Sequence, residues 1–110
     1  MKNEHFENLS SYFENYFNVD HVVGNPVFTN NGTADLEREG LNGYSVWVGY
    51  HHKGSRSSKV FERKTLAFVY AKVIPAFEKF LTESGETSKV VVEDFTAATD
   101  MFRLYAVTRR

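Results

Sequence analysis

Apolar residues recur at helical spacing from the start of the chain. Phe6, Leu9, Phe13, Tyr16 and Phe17 fall on one face of a helix over the first seventeen residues. Asn3 suits its N-cap, and Glu4 and Glu7 sit in the first turn, where the helix dipole favours acids. After Asp20 the pattern shortens into extended pieces. Val22-Val23 and Val27-Phe28-Thr29 flank Gly24-Asn25-Pro26, and Pro26 donates no ladder bond, which predicts an edge or bulged strand. Asn31-Gly32 and Asn42-Gly43 are both two-residue hairpin signals. Between them Thr33 to Arg38 reads as a weak strand or an ordered loop.

Tyr44 to His52 alternates. Tyr44, Val46, Val48 and Tyr50 point one way, and Ser45, Trp47, Gly49 and His51 the other. The first set is the expected core face, which leaves Trp47 under a loop, in an interface or on a binding surface. Lys59 to Lys64 is one more short strand or the start of the next helix. From about Thr65 to Ser84 helical spacing returns through Leu66, Val69, Tyr70, Val73, Phe77, Phe80 and Leu81, with Gly85 as the stop. Pro75 interrupts it, because proline removes a hydrogen bond and meets the carbonyl of Ala71. The continuing period predicts a kink near Ala71–Ile74. The rival reading makes Thr65–Val73 a strand and puts Pro75 in the first turn of a shorter helix. Val90-Val91-Val92 with Phe95, then Met101 to Thr108, predict a closing hairpin through Thr96–Asp100.

This order predicts a single α+β domain over residues 1–110: an antiparallel sheet of four to six strands, with an N-terminal helix and a longer central helix packed on it. The expected core includes Phe13, Val46, Val48, Leu66, Phe77, Val92 and Leu104. Composition agrees, since 42% of the 110 residues are hydrophobic and 15% aromatic. The chain has no cysteine, which excludes a disulfide framework, thiolate metal sites and a Cys nucleophile. Uncharged stretches such as Gly40 to Tyr50 are too short to span a bilayer. Glu4 and Glu7 precede any apolar run, which does not suit a signal peptide. A cytoplasmic setting without membrane contact is therefore expected.

The net charge of −1 hides a division. Residues 1–40 carry seven acids and two bases, residues 41–75 six bases and one acid, and residues 76–110 six acids and five bases. A near-neutral total speaks against coating nucleic acid over the whole surface and leaves room for one basic face.

No catalytic or metal motif stands out. His5, His21, His51 and His52 lack metal-ligand spacing, and His51 and His52 face opposite ways on a strand. No serine lies in a nucleophile elbow, Glu93-Asp94 diverge on a strand, and the Gly49–Lys53–Gly54 region makes no phosphate loop. No cofactor is expected, and an acid–base enzyme built from distant residues such as His51 and Asp94 is the weakest class. What remains is His51 to Lys64. It holds Lys53, Arg56, Lys59, Arg63 and Lys64 against the single acid Glu62, with Ser55, Ser57 and Ser58 and the flanking aromatics Trp47, Tyr50 and Phe61. Lysine, arginine and hydroxyl groups bind phosphates, and neighbouring rings stack on unpaired bases. The bland reading of this segment is a solvated loop balanced in space by the acidic N-terminal third.

Two functions follow. The first is nucleic-acid contact through the basic segment, with Lys53, Arg56, Lys59, Arg63, Lys64, Trp47 and Tyr50 as its residues. The second is a protein-binding adaptor or inhibitor, of the kind phages among others encode, acting through exposed aromatics and as a homodimer.

Overall fold

The structure, a computed structural model, describes residues 9–20, 22–29, 33–51, 58–86, 89–93 and 100–107. Its elements are α1 (Leu9–Tyr16), β1 (Pro26–Thr29), α2 (Thr33–Arg38), β2 (Gly43–Tyr50), α3 (Ser58–Phe68), a π-helical turn (Val69–Val73), α4 (Ile74–Glu83), β3 (Val91–Val92) and β4 (Met101–Val107). The four strands make one antiparallel sheet in the order β1-β2-β4-β3. The expected α+β architecture is present. The cap at Asn3, the turn at Asn31-Gly32 and most of the Thr96–Asp100 connection lie outside the described residues.

One face of the sheet carries the core. Tyr44, Val46 and Val48 of β2 stand opposite Ala106, Leu104 and Phe102 of β4, and Phe28 of β1 stands opposite Val48. Onto these pack Leu9 and Phe13 of α1, Val69 and Val73 of the π turn, and Ala76, Phe77, Phe80 and Leu81 of α4. Phe13, Val46, Val48, Phe77 and Leu104 of the expected core are fully buried, while Leu66 and Val92 are partly buried against the same cluster. Phe13 connects the layers, with its ring centroid 5.4 Å from that of Phe28 and 5.7 Å from that of Phe77.

Thr33–Arg38 is a helix, not the weak strand or loop its polar composition suggests. The physical reason lies just after it. Gly40 takes φ 76°, where the Leu41 N–H donates to the Leu36 carbonyl and the Gly40 N–H donates to that of Glu37. This is the Schellman termination, which satisfies the last helical carbonyls and needs a left-handed residue best supplied by glycine. The chain therefore reverses at Gly40. The hairpin expected at Asn42-Gly43 does not form, because Gly43 is already the first residue of β2, opposite Val107. Asn18 (φ 54°) ends α1 by the same motif, with Val19 N–H on the Glu14 carbonyl, and Gly85 (φ 80°) ends α4.

The long helix settles the question at Pro75. Residues 58–83 form one continuous helix, so the strand reading of Thr65–Val73 fails. At the place of the expected kink there is a widened turn, in which the Ile74 N–H donates to the carbonyl of Val69, five residues back. The extra residue moves the carbonyl of Ala71 out of the position where the proline ring would meet it. Pro75 then stands in the first turn of α4, a position that proline's fixed φ suits.

Candidate nucleic-acid interface

The start of the long helix carries three of the predicted bases. Lys59 and Arg63 are one helical turn apart and Lys64 follows directly, and all three are exposed. Glu62, between them, is half-buried. Lys53, Arg56, His52, Ser55 and Ser57 lie outside the described residues.

Tyr50 belongs with this group. At the end of β2, on the core side, its ring meets that of Phe68 edge-on at 5.9 Å. The Nζ of Lys64 stands over the same ring, 4.7 Å from its centroid. A lysine held over a tyrosine face is attracted by the ring quadrupole, so the ammonium is positioned while it stays in water. Burial raises the Tyr50 phenol above its ordinary pKa of 10.0, so it is a neutral hydrogen-bonding group at physiological pH.

Trp47 does not join them. It lies on the second face of the sheet, between Thr29 and Arg103 on the neighbouring strands. That face is not bare: Ser45 and Arg103 are 0% and 5% exposed, and Trp47 is half-buried with its Nε1 enclosed. Arg103 Nη2 donates to Glu93 Oε2 at 2.9 Å, and its guanidinium lies 4.7 Å from the centroid of the Tyr105 ring. Phosphate contact at Trp47 would thus be on the far side of the sheet from Lys59, Arg63 and Lys64. His51 is exposed, with its backbone bonded to Gly24 and Asn25, and Asp94 lies outside the described residues.

Two further bases escaped the sequence reading. Lys72 and Lys79 line an open groove of about 570 Å³ between the end of α1 and the long helix, together with Tyr16, Phe17, Phe68 and Pro75. Each is a lysine outside any run of bases in the sequence, next to a buried core residue, Val73 or Phe80. The spacing Lys64-x₃-Phe68-x₃-Lys72-x₆-Lys79 is the signal that would have placed them on one flank.

Compared with protein-family models, curated proteins and solved structures, the chain finds no match. Among the described residues, no helix is long and apolar enough to cross a membrane, and no three His, Asp or Glu side chains stand close enough to share a metal ion.

Proposed function

We propose that this protein is a small binding module that contacts nucleic-acid phosphates through its basic segment 51–64. The observation that carries the reading is the exposure of Lys59, Arg63 and Lys64 together at the start of one helix, with Tyr50 beneath Lys64. Lysine and arginine on a rigid helix neutralise phosphates and release condensed counterions, which drives association without base-specific contacts. Lys53 and Arg56 extend the same basic run in the sequence.

The expected signature is salt dependence. Three phosphate contacts give a slope of log K against log salt of about −2.7 on duplex and about −2.1 on single strands. Affinity then falls about 40-fold on duplex between 50 and 200 mM salt by the same relation. Replacing Lys59 and Arg63 by Ala flattens the slope by nearly two units and leaves thermal unfolding unchanged, since both side chains are exposed. Gel shift or fluorescence anisotropy reads both quantities. A wild type that binds neither duplex nor single strands at 50 mM salt sinks the proposal.

The second reading, a protein-binding adaptor or a homodimer, rests on Val60 and Tyr70, each 59% exposed on the long helix. Light scattering at micromolar concentration distinguishes the homodimer. A mass of 12.6 kDa removes it, and twice that value establishes it.

A further inference from the structure

We infer that the groove between α1 and the long helix is a path for an unpaired stretch of nucleic acid, running on from the basic start of α3; this rests on the phosphate-binding reading above. Charge is the first argument. The groove is lined by the rings of Tyr16, Phe17 and Phe68 and by Pro75, and among the described residues its charged lining groups are Lys72 and Lys79. An occupant complementary to it has flat apolar faces and regularly spaced negative charge, which is the description of a single strand with its bases turned out.

Continuity is the second. Lys64 lies over Tyr50, and from there ring centroids follow in sequence: Tyr50 to Phe68 at 5.9 Å, Phe68 to Phe17 at 5.3 Å, Phe17 to Tyr16 at 4.9 Å. This unbroken series of rings leads from the basic segment into the groove. Lys64, Phe68 and Lys72 are spaced four residues apart along the long helix, and Lys79 lies seven beyond. Three ammonium groups thus follow one flank of the helix over roughly 20 Å, at 1.5 Å per residue.

Exposure is the third. Tyr16 is 48% exposed at the rim of the groove, so part of its ring is accessible. Stacking on that ring is available to an unpaired base and denied to a base inside a duplex. The groove is also open, so a chain can run along it without being threaded. Duplex DNA can use the lysines but not the ring, and this difference distinguishes the inference from general phosphate binding.

Fluorescence anisotropy on the full chain tests it, with a labelled 15-mer of thymidylate and a mixed-sequence duplex of equal length as probes. Tyr16→Ala weakens the single strand about tenfold and leaves the duplex unchanged, and Tyr16→Phe, which keeps the ring, binds like wild type. Lys72→Ala with Lys79→Ala flattens the single-strand salt slope by about 1.4. Duplex and single strand weakened alike by Tyr16→Ala would overturn the inference, as would polyglutamate displacing the 15-mer at an equal concentration of charge. If Lys59→Ala with Arg63→Ala weakens binding while the Tyr16 and Lys72/Lys79 variants match wild type, the groove is excluded and the basic-segment reading stands. If the wild type binds neither probe at 50 mM salt, both fail together.

Discussion

Phe77→Ala lowers the free energy of unfolding by about 3–5 kcal/mol, the range for removing a fully buried phenylalanine ring. Phe77 is 0% exposed in the middle of α4, with ring centroids 5.7 Å from Phe13 and 6.4 Å from Phe80, both edge-on. It therefore holds α1 and α4 to each other as well as to the sheet. Truncation loses the transfer free energy of the ring and leaves a cavity that the rigid β2–β4 ladder cannot close. Domains of this size are stable by only about 5–15 kcal/mol, so the variant gives up a large fraction of the total. Urea denaturation checks it, with Tyr70→Ala as the companion. Tyr70 is 59% exposed on the same long helix, and its loss is expected to stay within about 0.5 kcal/mol. A loss below about 1 kcal/mol for Phe77→Ala would show that this face of the helix does not form the core.

Gly49→Ala is expected to cost about 1–3 kcal/mol although it adds a single methyl group. Gly49 stands opposite Met101 where β2 meets the start of β4. A Cβ there would lie 2.7 Å from the carbonyl oxygen of Asp100 and 2.8 Å from Cγ of Met101. The methionine side chain is able to turn aside. The carbonyl is not, because Asp100 is buried and held at φ 57° in the turn that starts β4. Thermal unfolding separates the two contacts, at about 4–8 °C per kcal/mol for small domains. Met101→Ala in the Gly49→Ala background recovers only part of the loss. Full recovery would place the conflict in the side chain alone, and no loss in the single variant would refute the close approach.

These two positions show what the sequence reveals and what it hides. Phe77 is legible because a helix more than twenty residues long repeats its apolar face at 3.6, and Tyr44 to Tyr50 is legible because a half-buried strand alternates at 2.0. Gly49 is only one more small residue on the second face until the register brings Asp100 beside it. Thr33–Arg38 is six residues long, too short for a period to show, and its helix is marked mainly by the glycine that ends it. Pro75 is plain in the sequence, but its remedy, a single extra residue in the preceding turn, leaves the spacing of apolar positions almost intact and so leaves no trace in it. The same division holds for the candidate site. Lys59, Arg63 and Lys64 are visible as a run of bases. Tyr50 and Lys64 meet because β2 ends beside α3, and the groove brings Tyr16 to Lys72 across more than fifty residues of chain, which no local pattern records.

The lateral strands restrict how copies of this protein can meet. β1 is four residues long and begins at Pro26, and β3 is two residues long. Both lie at the rims of the sheet, where a long flat strand would offer its unpaired backbone groups as a template. The described rims offer too little ladder, and on one side a proline, for another chain to extend the sheet. Growth into cross-β fibrils by strand addition is therefore disfavoured by the fold itself, and the long β2 and β4, which have the β-rich composition to drive it, are the two strands kept inside.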